Sequence, residues 1–157
     1  MDNFIFQNPT RILFGGGMLD RLPDELEAAG KKILLVYGGG SIKRTGLYDR
    51  VLALLKQADK EVFELPGVMP NPRTGKVYEG IEICRRESID LILAVGGGSV
   101  VDCSKAIAAG TFHGGDFWQD LYMEGQCISR AVPIGVILTM PATGSEMNSG
   151  TVISHWD

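Results

Sequence analysis

Short apolar runs alternate along this chain with longer segments whose apolar residues recur at helical spacing. Residues 91–95 are apolar without the alternation of a half-exposed strand, which is typical of a strand buried on both faces of a parallel sheet. Further strands are predicted at 32–37, 61–65 and 134–138. Two shorter apolar runs, 4–6 and 12–14, precede them, and as strands they would offer an edge for pairing between chains.

Helices are predicted between these strands. The first covers about 22–29, with Pro23 suited to its first turn and Gly30 to its end. The third follows Asn71-Pro72, which would supply its cap and its first position. The apolar positions that share one face are Leu47, Val51, Leu54 and Leu55 in the second helix, and Val77, Ile81 and Cys84 in the third.

The alternation of strands and helices predicts the fold class. It favours an α/β protein with a Rossmann-like parallel sheet and helices on both faces. A chain of 157 residues has the size of one domain and can bury a sizeable core. We therefore expect a single dinucleotide-binding domain over residues 1–157.

A glycine-rich turn links the strand at 91–95 to the next helix. The glycines at 96–98 permit backbone angles closed to other residues and let N–H groups approach an anion, and a helix beginning near Ser99 adds unpaired N–H groups. These features predict a pyrophosphate site, and a tight structural turn is the alternative. Ser99 and Asp102 also form a capping box. The sequence is not GxGxxG, since Val101 takes the last glycine position, and it is not a Walker A loop.

Two more polar loops follow strands, at 38–41 and 139–146. In a parallel sheet the carboxyl ends of the strands share one edge, so all three loops are expected to converge on one ligand. The first loop lacks the carboxylate that commonly binds a ribose 2′-hydroxyl, and Lys43 and Arg44 lie nearby. This favours NADP(H) over NAD(H). The alternative is a tight turn with solvated Lys43 and Arg44.

Charge and cysteine content narrow the partners and the compartment. Fifteen basic and nineteen acidic residues give a net charge of −4 without a basic run, so we expect no nucleic acid partner. Cys84, Cys103 and Cys127 are odd in number and form no CxxC, which favours a reducing compartment. No segment has the length of a membrane span or the pattern of a signal peptide, so we expect a cytoplasmic protein without a membrane partner.

The chain resembles the iron-containing (group III) alcohol dehydrogenases. The matching segments, in order, are FQNPTRILFGGG, YGGGSIKRTGLYD, PNP, LILAVGGGSVVDCSKAIA and TMPATGSEMN. They are similar to the N-terminal nucleotide domain of the branch that contains butanol dehydrogenases and NADPH-dependent aldehyde reductases. The resemblance implies a dehydroquinate synthase-like N-terminal fold. It also implies the NAD(P)(H)-binding portion of a metal-dependent enzyme that interconverts alcohols and aldehydes by hydride transfer.

The loops and the resemblance together predict the residues that contact the cofactor. They are Gly38, Gly39, Ser41, Asn71, Gly97, Gly98, Ser99, Asp102, Thr139, Thr143 and Asn148. In the family a helical domain holds a divalent metal, iron or zinc, through one aspartate and several histidines. That pattern is absent from this sequence, whose only histidines are His113 and His155, both interpreted as loop or terminal residues. We therefore assign no catalytic and no metal-binding residue, and expect little or no turnover from the isolated chain.

Two other interpretations stay open. A fragment like glycerol dehydrogenase or dehydroquinate synthase would share the glycine loops, but Gly38 and the TMPATGSEMN form of the last loop argue against it. A stand-alone nucleotide-binding or interaction module is the other. It would leave apolar surface around the cleft for a partner to cover, and a homo-oligomer is one way to cover it.

Overall fold

The computed structural model describes residues 3–5 and 7–155. Within them, one parallel sheet contains the strands β1 (Lys32–Gly38), β2 (Glu61–Val68), β3 (Leu91–Gly96) and β4 (Ile134–Leu138). Their order across the sheet is β2-β1-β3-β4, and each pair of neighbours is parallel. The predicted α/β fold with a parallel sheet is confirmed.

Five α-helices connect or flank the strands in the described part of the chain: α1 (Leu22–Glu25), α2 (Ser41–Arg44), α3 (Leu47–Gln57), α4 (Thr74–Glu87) and α5 (Gly98–Thr111). A 3₁₀ turn covers Met18–Arg21, a π-helix covers Phe117–Met123, and a second 3₁₀ turn covers Ser145–Met147.

The core lies in two layers, one on each face of the sheet. Alternate residues of β1 serve the two layers: Leu34 and Val36 pack with apolar residues of α4 and α5, whereas Ile33 and Leu35 pack with those of α1, α2 and α3. These β1 side chains are fully buried. The expected helices on both faces are therefore present, and the continuous apolar runs of β1 and β3 are explained by burial on both sides.

Glycines let α4 and α5 approach each other closely. A Cβ on Gly80 would lie 2.4 Å from Cδ1 of Ile107, and a Cβ on Gly110 would lie 2.4 Å from Cδ1 of Ile81. Each helix thus places one glycine under an isoleucine of the other helix.

The N-terminal predictions were partly wrong. Residues 12–14 form no strand, and in the run 4–6 residues 4 and 5 form none, while residue 6 lies outside the described residues. Phe4 and Ile5 are 84% and 97% exposed, and no strand of the described chain pairs with them. The helix predicted at 22–29 ends at Glu25, and the chain continues as a turn over residues 26–28 and a bend at residue 29.

The predicted start of α4 was also wrong. The helix begins at Thr74 with Arg73 as its N-cap, and Asn71 has a left-handed φ of 55°. The carbonyl of Pro72 accepts a hydrogen bond from the N–H of Ser154 at 2.8 Å, and Arg73 forms a β-bridge with Ser154. This pairing holds residues 72–73 extended, so the helix starts later than the Asn-Pro pattern predicts.

Candidate dinucleotide-binding site

The strand order reverses between β1 and β3. From β1 the chain moves outward to β2 and then returns to β3 on the other side of β1. In open α/β sheets ligands bind in the crevice outside the carboxyl ends of the strands at such a point. The loops at 38–41 and 96–98 both leave the sheet at this crevice.

Helix α5 offers an open N terminus at the crevice. The 14-residue helix begins at Gly98 with Gly97 as N-cap, and no side chain of the described residues bonds to the cap. The N–H of Val100 donates to the carbonyl of Gly97 at 3.0 Å, whereas the N–H groups of Gly98 and Ser99 have no partner among the described residues. These two groups and the positive end of the helix dipole remain available to an anion.

The capping box predicted from Ser99 and Asp102 does not form. Oδ1 of Asp102 accepts a hydrogen bond from the Ser145 hydroxyl at 2.5 Å, and Oδ2 accepts one from the N–H of Val152 at 3.1 Å. The carboxylate is thus committed to a loop more than forty residues away in the chain, and the helix start stays uncapped.

The three glycines at 96–98 have different roles. A Cβ on Gly96 would lie 2.5 Å from Cγ2 of Val100, and a Cβ on Gly98 would lie 2.5 Å from Oγ1 of Thr143. Beside Gly97 the nearest described atom is Cβ of Met140 at 3.8 Å, so only Gly97 has an open side. None of the three has a positive φ, so the special backbone angles expected here are not used. The strand enters the helix through an extended residue, Gly97, with φ −88° and ψ −171°.

The loop after β1 is also open. A Cβ on Gly39 would have no described atom within 4 Å, whereas one on Gly38 would lie 3.2 Å from the carbonyl oxygen of Val68. Gly40 has φ 111° and leads into α2 at Ser41. Gly40 is therefore the residue of this turn that needs a left-handed backbone.

Lys43 lies beside two tyrosines below this loop. Its Nζ is 5.2 Å from the ring centroid of Tyr37 and 4.5 Å from that of Tyr48. Both tyrosine hydroxyls donate to the carboxylate of Glu64, at 2.6 Å from Tyr37 and 3.0 Å from Tyr48. Burial, assisted by these bonds to Glu64, raises the pKa of both tyrosines to about 12. Lys43 and Arg44 are both exposed, and Lys43 also makes a cation–π contact with the two rings.

The loop after β4 forms a third wall of the crevice. The N–H of Thr139 donates to the carbonyl of Gly96 at 3.0 Å, and Thr143 packs against Gly98. The amide of Asn148 holds the loop itself: its Nδ2 donates to Gly144 O at 2.9 Å, and its Oδ1 accepts from the N–H of Gly150 at 3.0 Å.

The predicted contact residues lie on the carboxyl side of the sheet. By strand they are Gly38, Gly39 and Ser41 after β1, Asn71 after β2, Gly97, Gly98, Ser99 and Asp102 after β3, and Thr139, Thr143 and Asn148 after β4. The register pairs Gly38 with Val68, which brings the β2 end and Asn71 next to the first loop. Their contacts with a cofactor stay predictions.

Comparison with known proteins decides the family. The family model of iron-containing alcohol dehydrogenases matches residues 9–157. The chain belongs to the iron-containing alcohol dehydrogenase family. It is 55% identical, over all of its length, to a probable NADH-dependent butanol dehydrogenase of Bacillus subtilis, and 44% identical, over 99% of its length, to the NADPH-dependent aldehyde reductase YqhD of Escherichia coli.

A solved structure of the same kind is similar along the whole chain. The crystal structure of NADH-dependent butanol dehydrogenase A from Thermotoga maritima superimposes with a TM-score of 0.94 at 46% identity, covering 99% of this chain and 39% of that one. The chain spans about 40% of the length of the B. subtilis and E. coli relatives.

The described residues provide no binding site for the iron that the family name implies. Among residues 3–5 and 7–155, no group of three or more His, Cys, Asp or Glu side chains is placed to hold a metal ion. Nε2 of His113 lies 2.6 Å from Oδ2 of Asp120, and His155 stacks on Trp118 with ring centroids 4.7 Å apart.

Among residues 3–5 and 7–155, no helix is both long and apolar enough to cross a membrane.

The sequence patterns missed several polar residues of this family member. Lys105 bonds to the loop after β4, and Oε2 of Glu146 is buried without a hydrogen-bond partner among the described residues. Glu64 joins the two tyrosines below the first loop. One signal was present for Lys105, since it stands three residues after Asp102 and so on the same helix face.

Proposed function

We propose that this chain is the nicotinamide dinucleotide-binding portion of an alcohol dehydrogenase that interconverts alcohols and aldehydes. The observation that carries the proposal is the uncapped start of α5 beside the open side of Gly97, at the point where the strand order reverses. A pyrophosphate there would accept hydrogen bonds from the N–H groups of Gly98 and Ser99, which have no partner among the described residues. The NADH- and NADPH-dependent names of the relatives support this assignment.

The residues of the chain would bind and orient the cofactor. Gly97 and Gly39 leave space for its phosphate and ribose, and the loop with Thr139 and Thr143 forms the third wall. The bound nicotinamide would supply the hydride-transfer chemistry. No cluster of side chains among the described residues is suited to bind a metal ion. We therefore propose that the isolated chain binds cofactor with little turnover.

We further propose that NADP(H) is preferred over NAD(H). Positions 38 and 39 of the first loop are glycines and carry no carboxylate, and Lys43 places a basic side chain next to this loop. A carboxylate there would repel a 2′-phosphate. The names of the relatives are divided, as the B. subtilis protein is called NADH-dependent and the E. coli protein NADPH-dependent.

Calorimetric titration of the purified chain with NADPH and NADH tests both proposals. We expect saturable binding that favours NADPH. In Gly39→Asp the added side chain enters open space, so the fold should persist while NADPH binding weakens relative to NADH by about tenfold, the cost of one unfavourable charge contact near a surface. Absence of binding by either nucleotide contradicts the functional proposal, and tighter binding of NADH contradicts the preference.

We also propose that the protein works in a reducing compartment such as the cytoplasm. Cys84 and Cys103 are buried free thiols, and burial raises their pKa to about 11 and about 12, so both stay protonated. Cys127 is exposed.

We propose that copies of the chain associate. Phe4 and Ile5 are exposed apolar residues that a second copy would cover. Light scattering that shows only monomer would contradict the proposed association.

A further inference from the structure

Oxygen atoms of the loop after β4 surround one lysine of α5. Nζ of Lys105 lies 2.8 Å from Ser145 O, 3.1 Å from Asn148 O and 2.5 Å from Gly150 O. Oδ1 of Asn148 follows at 3.2 Å, and Oδ1 of Asp102 at 3.8 Å. An ammonium group has three protons, so these oxygens outnumber them and form a shell like that around a bound cation.

Asp102 fastens the same loop one turn earlier on the helix. Its two carboxylate oxygens accept from the Ser145 hydroxyl and from the N–H of Val152. Lys105 and Asp102 stand three residues apart and are themselves paired. The loop from 145 to 152 is therefore tied to α5 by one cation and one anion on the same helix face.

The cluster is largely removed from water. The side chains of Lys105 and Asp102 are 14% and 15% exposed. Burial lowers the pKa of Lys105, whereas attraction to Asp102 and Glu146 opposes this. Oε2 of Glu146 is buried and has no hydrogen-bond partner in the described chain, and the attraction to Lys105 is the electrostatic contact that the structure gives its carboxylate. A partly buried charge of this kind is stabilised only while its partners stay in place.

We infer that Lys105 is a positioning residue whose ammonium group acts as a tethered cation, on which residues 145–150 assemble. The inference deepens the proposed function and rests on it, since this loop contains one wall of the candidate site. Thr143, which packs against Gly98, stands two residues before the fastened segment. A loop ordered before the ligand arrives saves part of the entropy cost of binding.

Hydrogen–deuterium exchange on the purified chain measures the order of this loop. In Lys105→Met, which keeps a long apolar side chain without the charge, we expect amides of 145–152 to exchange about tenfold faster, the loss of one charge-assisted hydrogen bond. The matched control is Lys76→Met. Nζ of Lys76 also pairs with a carboxylate three residues later, Glu79, at 2.6 Å, and it should leave the loop unchanged.

Chemical rescue separates charge from packing. Lys105→Ala leaves a space ringed by oxygens, which propylammonium matches in length and charge. We expect propylammonium chloride to restore slow exchange in the loop, and sodium chloride at the same ionic strength to restore much less. If Lys105→Met does not fold, the two salts are compared on the folding of Lys105→Ala instead. Equal effects of the two salts, or unchanged loop exchange in a folded Lys105→Met, overturn the inference.

NADPH titration connects the loop to binding. We expect Lys105→Met to bind NADPH about tenfold more weakly and Lys76→Met to bind it like the unmodified chain, since one charge-assisted bond is worth about that factor. Unchanged affinity in a Lys105→Met chain with a loosened loop overturns the positioning role. If the unmodified chain binds no nucleotide, the proposed function fails, whereas the exchange and rescue results still decide the role of the ammonium.

Discussion

The three glycines of the turn at 96–98 have different structural roles. Gly96 and Gly98 make room for side chains of the protein itself, Val100 and Thr143. Gly97 has no such neighbour, and its extended backbone is open to any residue. The protein's own packing therefore explains two of the glycines, and the third is explained by the proposed pyrophosphate site.

Replacing Gly97 tests this at the residue scale. In Gly97→Ala the added methyl meets only Cβ of Met140 at 3.8 Å, so unfolding free energy should change by about 1 kcal/mol or less, because cap loss and reduced chain entropy oppose each other. NADPH binding should weaken about tenfold or more, since the methyl stands where the pyrophosphate would approach. Thermal unfolding and calorimetry measure the two effects. Unchanged affinity in a stable Gly97→Ala would show that no ligand needs this space.

Among the elements, α4 and α5 pack closely on their face of the sheet through reciprocal glycine–isoleucine contacts. Gly80 lies under Ile107, and Gly110 lies under Ile81. This packing supports the site, because α5 carries both the uncapped N terminus and Lys105. The sequence pattern placed Ile81 on the buried face of α4 but assigned no role to either glycine.

Gly80→Ala is expected to lower the unfolding free energy by about 1–3 kcal/mol, because its Cβ would stand 2.4 Å from Cδ1 of Ile107 in a packed core. Gly75→Ala is the control on the same helix. It meets no described atom within 4 Å, and helix propensity should make it stabilising by about 0.5–1 kcal/mol. Urea unfolding measures both. In a double-mutant cycle, Ile107→Val removes Cδ1 and should reduce the cost of Gly80→Ala, and simple additivity would contradict the contact.

Across the whole molecule, side-chain hydrogen bonds connect secondary-structure elements in addition to the apolar core. Glu64 of β2 accepts bonds from Tyr37 of β1 and Tyr48 of α3, which ties two strands and a helix below the first loop. Tyr78 of α4 likewise donates to Asp116 before the π-helix, at 2.5 Å. These bonds are made only by the protonated phenols.

The stability of the whole chain should therefore fall at high pH. Burial, with hydrogen bonds to carboxylates, raises the pKa of Tyr37, Tyr48 and Tyr78 to about 12. Since unfolded tyrosines ionise near pH 10, the unfolded chain loses protons first, and the contribution present below about pH 10 is lost between about pH 10 and 12. Urea unfolding across this range measures the loss, and Tyr48→Phe should make it shallower. Tyrosine absorbance in the folded chain that titrates near pH 10 would contradict these pKa shifts.

Much of the fold was predictable because it depends on short-range patterns. The strands at 32–37, 61–65, 91–95 and 134–138 were predicted from short apolar runs, and those of β1 and β3 are buried on both faces of the parallel sheet. The errors fall where long-range contacts compete with local preference. Ser154 holds Pro72 and Arg73 extended and delays α4, and Asp102 bonds to Ser145 rather than capping α5.

Local patterns in the sequence were enough to predict the α/β class, the order of the strands along the chain and the three loops that follow β1, β3 and β4, because hydrophobic periodicity and glycine placement act locally. It also carried the motifs of the iron-containing alcohol dehydrogenase family. Only the tertiary structure decided the strand order β2-β1-β3-β4 and the shell of oxygens around Lys105. Paired strands lie about 30 to 60 positions apart in the chain, and the loop oxygens lie 40 to 45 positions from Lys105. Their partners become definite only when the helices pack on the sheet.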